Sequence, residues 1–93
     1  MIEIQSRQNA ALKHLARLGR ERKYRRSTGE MLCEGEKMLT EALRSGAEIK
    51  TVLVRRGFES GELRQAEKQG AEMYCAEDAL FCLCLLYTSR AHE

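Results

Sequence analysis

The chain has 93 residues, 43% of them apolar and 32% charged, with no proline and a formal net charge of +2. A chain of that length holds one hydrophobic core, and that balance of apolar and charged residues argues against disorder. The charge is unevenly spread: Arg7, Lys13, Arg17, Arg20, Arg22, Lys23, Arg25 and Arg26 stand against the single acid Glu21, a local excess of +7 that leaves the remainder at −5. Charge segregated in this way creates a field able to steer and hold a phosphate backbone, so a nucleic acid is the expected partner.

Met1-Ile2-Glu3-Ile4 runs directly into polar sequence with no basic-then-apolar leader, which leads to the expectation of a soluble, cytoplasmic protein. The first predicted element is a helix capped by Ser6. Ala11, Leu12, Leu15, Ala16, Leu18 and Gly19 fall on one side at 100° per residue, and Asn9, Lys13, Arg17 and Arg20 form a polar stripe on the other. Arg22 to Gly29 reads as a charged end and a turn, broken by Ser27-Thr28-Gly29. Glu30-Met31-Leu32-Cys33 is a short strand candidate, and Gly35 follows as a turn into a second helix, Glu36 to Ser45. That helix carries Met38, Leu39, Ala42 and Leu43 on one stripe and Gly46 at the position of a left-handed C-terminal cap.

Thr51-Val52-Leu53-Val54 lacks polar alternation, the pattern of a strand covered on both faces, and is expected at the centre of the sheet. Ser60 caps a third helix running to Gly70, Ala71 to Cys75 returns to extended structure around Met73, and Glu77 to Leu80 opens a last helical turn. Helices and strands that alternate at such short intervals predict an α/β domain with crossovers around a mostly parallel sheet. The apolar run from Ala79 to Tyr87 is too short to span a bilayer, which needs about twenty residues, so no membrane partner is expected. Residues 81–93 fit the plan poorly and resemble translated adapter sequence on a truncated reading frame, so the domain is expected over residues 1–80.

No catalytic constellation emerges. The chain contains no H-E-x-x-H, G-x-S-x-G or G-x-G-x-x-G. Gly29 to Lys37 has glycines wrongly spaced for a phosphate-binding loop, with Glu34 and Glu36 repelling a phosphate where a helix begins. Glu34-Gly35 fits a sharp structural turn better. Cys33, Cys75, Cys82 and Cys84 match neither a zinc-site spacing nor a disulfide framework, so they are expected as reduced thiols, with no metal and no cofactor. Tyr24 among Arg22-Lys23 and Arg25-Arg26 offers either a ring that stacks on an unpaired base beside cations that hold phosphates, or a ring packed on its own helix. The first alternative favours RNA.

The order of these residues is also familiar. Ser6-Arg7-Gln8-Asn9, Lys13 and Leu15 to Leu18, Arg25 or Arg26, Gly29 to Gly35, Glu41-Ala42-Leu43 and the strand from Ile49 to Val54 together resemble the start of SpoU-type (TrmH-like, SPOUT superfamily) RNA 2′-O-ribose methyltransferases. The resemblance covers about residues 4–80 and implies their small N-terminal substrate-binding domain, a three-layer α/β/α fold similar to ribosomal L30e. In that family a separate knotted domain binds S-adenosylmethionine and transfers the methyl group, and it supplies most dimer contacts. Its catalytic N-x-G-x-x-x-R type motif and glycine-rich loops have no counterpart here, so the chain alone is expected to bind rRNA or tRNA without methylating it. The residues expected to face RNA are Arg7, Asn9, Lys13, Arg17, Arg20, Lys23, Tyr24, Arg25 and Arg26, with Asn9 alternatively anchoring the first helix and Glu34-Gly35 shaping the turn. A free-standing L30e-like RNA-binding module, and a basic helix that binds an acidic protein surface, are the competing readings.

Overall fold

The structure, a computed structural model, describes residues 1–82. Its elements run β1 (Ile2–Ile4), α1 (Ala10–Arg20), α2 (Arg22–Thr28), α3 (Glu36–Ser45), β2 (Thr51–Arg55), α4 (Gly61–Lys68) and β3 (Glu72–Ala76), and the chain is helical again from Asp78. The three strands form one parallel sheet in the order β1-β3-β2, with Ile4 opposite Ala76 and Leu53 opposite Tyr74. Cysteines 33, 75 and 82 are free thiols.

Strand periodicity divides the core into two halves. Successive side chains point to opposite faces of a sheet. Tyr74 and Ala76 of β3, Leu53 of β2 and Ile4 of β1 accordingly pack with Leu12, Leu15, Ala16 and Leu18 of α1. Met73 and Cys75 of β3 and Val52 and Val54 of β2 turn the other way, to Leu63 and Ala66 of α4 and Leu39 of α3. Helices therefore cover both faces of the parallel sheet, giving the small α/β domain that the alternation of elements predicts, in the three-layer arrangement that the resemblance implies. Ile4 and Ala76 are fully buried where β1 meets β3, and Leu18 is 2% exposed beneath α1.

Four local expectations are corrected. Ser6 does not cap α1; its Oγ accepts from Gln8 N within a turn, and the helix begins after Asn9, three residues later. Residues 22–28 are helical rather than a turn, and Gly29, in the left-handed region with φ 71°, ends them. Glu30 to Cys33 joins no ladder among the described residues. β2 lies at an edge, and the centre belongs to β3, because Ile2–Ile4 takes the other side of β3. An uninterrupted apolar strand reports two covered faces, which β2 has, and carries no information about how many of its edges are paired.

α3 and α4 follow their sequence signals. Ser60 Oγ accepts from Leu63 N at the start of α4, and Gly46 closes α3 at φ 75°. The apolar stripe of α3 is only half covered: Leu39 packs against the core, whereas Met38 remains 44% exposed. It borders a groove of about 670 Å³ between α3, the segment Glu30–Gly35 and β2. Of the apolar run Ala79–Tyr87 and the tail that follows, everything from residue 83 onward lies outside the described residues.

Candidate nucleic-acid interface

The basic segment folds into two helices whose geometry separates its cations into two groups. α1 starts at Asn9, whose Oδ1 accepts from Ala11 N at 2.9 Å and Leu12 N at 3.2 Å, satisfying two of the amides that a helix start leaves without partners. On the outer side of α1, Lys13, Arg17 and Arg20 are all exposed and spaced to share one stripe. Glu21, in extended conformation between α1 and α2, receives Arg17 Nε and Nη2 and Arg20 Nη2, each at 3.2 Å. The bond from Arg17 holds the Glu21 carboxyl below the usual carboxylate range, and the same contact raises the already high pKa of Arg17. The segment's single acid is thereby spent on two of its arginines.

α2 has two faces. At 100° per residue Tyr24, Arg25 and Thr28 share one side, while Arg22, Lys23 and Arg26 share the other. The first three are half-buried and the second three exposed. Arg25 Nη1 donates to the Leu18 carbonyl at 2.7 Å, occupying one of the acceptors at the end of α1. Tyr24 packs against the α1 side of the core, and the Arg17 guanidinium lies 3.8 Å from its ring centroid, a cation–π contact. Its hydroxyl lies 2.6 Å from His14 Nδ1, and the two rings meet edge to face at 5.4 Å.

His14 extends this contact toward the sheet. Its Nε2 lies 3.1 Å from Glu30 Oε1, and Lys50 Nζ, just before β2, lies 3.7 Å from Glu30 Oε2. The bond from His14, with the Lys50 charge behind it, holds the Glu30 carboxyl below the usual carboxylate range. The carboxylate can only accept, so a neutral His14 must carry its proton on Nε2, leaving Nδ1 to accept from the Tyr24 hydroxyl.

The structure thus sorts the nine sequence-selected residues by what their polar atoms are doing. Arg7, Lys13, Lys23 and Arg26 are exposed and form no ion pair among the described residues. Arg17 and Arg20 are exposed but tied to Glu21, while Asn9, Tyr24 and Arg25 make contacts that set the start of α1 and the seat of α2. Gly35 begins α3 at φ 90°, a conformation that costs an L side chain, and Glu34 beside it is exposed. Sequence reasoning counts Arg22 among the cations around Tyr24 but not in the set expected to face RNA, although it shares the outer face of α2, and it does not single out the pair His14 and Glu30. The signal for Arg22 was available in the helical spacing of Arg22 and Arg26, once residues 22–28 are read as a helix. Contacts of His14 with residues ten and sixteen positions away leave no periodic trace.

Among the described residues no cluster of three or more His, Cys, Asp or Glu could hold a metal ion, and no helix is long and apolar enough to cross a membrane. No curated protein and no solved structure matches the chain significantly. Residues 9–84 match the family described as MRM3-like substrate binding domain. That span takes in α1 through β3 and the whole basic segment from Asn9 onward, and it agrees with the resemblance to the N-terminal part of SpoU-type RNA methyltransferases. The chain belongs to the MRM3-like substrate binding domain family.

Proposed function

We propose that this chain is the RNA-recognition part of a SpoU-type RNA 2′-O-ribose methyltransferase that acts on rRNA or tRNA. In this reading methyl transfer from S-adenosylmethionine belongs to the catalytic half of the parent enzyme, and the present residues only bind and orient the RNA. The observation that carries the proposal is the set of exposed cations without ion-pair partners among the described residues, Arg7, Lys13, Arg22, Lys23 and Arg26, placed on the turn before α1, its outer stripe and the outer face of α2. Such groups gain most from a polyanion, because they give up no internal salt bridge when they bind it and they release counterions from the phosphates.

The test is titration of the purified chain with labelled rRNA and tRNA fragments, followed by fluorescence anisotropy over a range of salt. Four to five phosphate contacts correspond to a slope of log affinity on log salt of roughly −3 to −4. Replacing Arg7, Lys13, Lys23 and Arg26 together with Gln should flatten that slope and abolish binding at physiological salt. A wild-type affinity indifferent to salt, or a quadruple variant that binds normally, overturns the proposal. Capture of cellular partners that survives ribonuclease would instead point to an acidic protein surface.

A further inference from the structure

α2 is a poor candidate for autonomous order. It has seven residues, no buried residue and no side chain capping its first turn, and a helix this short is unstable by itself. Its rotation about its own axis is nevertheless what decides whether Arg22, Lys23 and Arg26 face the same ligand as Lys13. Besides the backbone at its ends and the packing of the Tyr24 ring against the α1 side of the core, three side-chain contacts bear on that rotation: Arg25 Nη1 on the Leu18 carbonyl, the Arg17 guanidinium over the Tyr24 ring, and the Tyr24 hydroxyl on His14 Nδ1.

Of these, the third is held from behind. His14 is anchored through Nε2 to Glu30, and Glu30 is paired to Lys50, so α2 is referenced to the first residues leading into β2 rather than to α1 alone. In the neutral ring the carboxylate fixes the tautomer, and that leaves one lone pair, on Nδ1, aimed at one hydroxyl. A contact of this kind specifies direction as well as distance, whereas the cation–π contact tolerates sliding of the guanidinium over the ring.

We propose that His14 is a positioning residue of the RNA-binding surface, setting α2 through the Tyr24 hydroxyl so that Arg22, Lys23 and Arg26 engage the same RNA as Lys13. This rests on the RNA-recognition reading above. His14 touches no RNA in this arrangement, and Tyr24 serves through its hydroxyl rather than by stacking on a base.

The consequence is a coupling that a merely stabilising contact would not produce. Counterion release makes each phosphate contact worth roughly five- to eightfold in affinity at 0.1 M salt. In the wild-type chain, replacing Lys23 and Arg26 with Gln should therefore cost about 25- to 60-fold. Tyr24→Phe keeps the ring and its packing but removes the hydroxyl. It should lower affinity about fivefold or more, and in its background the Lys23 and Arg26 replacements should cost less than tenfold, while Lys13→Gln costs what it costs in wild type. His14→Ala should reproduce this pattern, and His14→Asn, which offers an amide near the position of Nδ1, should restore most of the affinity.

Anisotropy titrations of these variants against one RNA fragment, with circular dichroism on each to verify the folded state, decide the matter. If Tyr24→Phe and His14→Ala bind as wild type, or if the Lys23 and Arg26 replacements cost the same in both backgrounds, the positioning role is overturned while RNA recognition stands. If the Lys23 and Arg26 replacements are silent in the wild-type chain, the positioning role falls while RNA recognition through the other cations stands; if the wild-type chain binds no RNA, both readings fall together.

Discussion

Asn9 provides the sharpest test of how the basic helix is built, because a polar residue at the head of a basic stripe could serve either the helix or the ligand. Its Oδ1 accepts from two first-turn amides, Ala11 N and Leu12 N, and the second belongs to a residue only 3% exposed. Neither amide has an obvious substitute acceptor in Ser6, whose Oγ already takes Gln8 N and whose carbonyl takes Asn9 N. Asn9→Ala should therefore cost about 1 kcal/mol, within a range of roughly 0.5 to 2. For a domain of this size that lowers the melting midpoint by about 4–8 °C per kcal/mol. Asn9→Ser, which restores a capping oxygen, should stay within about 0.5 kcal/mol of wild type. Thermal unfolding followed by circular dichroism reads both variants, and RNA titration well below the midpoint completes the comparison. A melting midpoint unchanged in Asn9→Ala would refute the cap. Lost RNA affinity in an undiminished Asn9→Ser would show that the side chain also meets the ligand.

Other consequences concern the core, the acid limb and the turns. Leu18→Ala, at a site 2% exposed, should cost about 2–5 kcal/mol and move the urea midpoint sharply, and a loss below 1 kcal/mol would contradict the packing of α1 on the sheet. Because the Glu30 carboxyl is held below its unfolded value by His14 and Lys50, the stabilisation it confers is complete above the ordinary carboxylate range and fades as pH falls through the depressed value. Stability measured by urea titration should thus fall more steeply with acid in wild type than in Glu30→Gln, and parallel profiles would count against the network. Gly46→Ala should destabilise by about 1 kcal/mol although nothing lies within 4 Å of the added Cβ, since the cost is the left-handed backbone at φ 75°. Gly61→Ala, also sterically free but at the first position of α4, should stabilise by about 0.4–1 kcal/mol, so equal thermal shifts at the two sites would refute the backbone argument.

The amino-acid order by itself determines what depends on neighbours along the chain. The apolar stripe of α1, the Ser60 cap and the Gly46 stop follow from local spacing and backbone preference, and the structure has them where periodicity puts them. The parallel character of the sheet is legible for the same reason, since short alternating helices leave no room for hairpins. The concentration of cations in residues 7–26 is likewise a property of the chain alone.

Tertiary structure decided what depends on partners distant in sequence. A strand's composition reports the faces it buries, so β2 was legible as doubly covered, but only the pairing of Ile2–Ile4 with β3 could make β3 central and β2 an edge. The same limit applies to the cations. Spacing placed Arg17, Tyr24 and Arg25 in one basic cluster with Lys13 and Lys23, yet hydrogen bonds tie Arg17 to Glu21 at the surface and seat Tyr24 and Arg25 half-buried against His14 and the Leu18 carbonyl. Which charges are most available to a ligand is set by contacts made across the fold, because a side chain already paired with a protein atom must give up that contact or share its remaining donors to meet a phosphate.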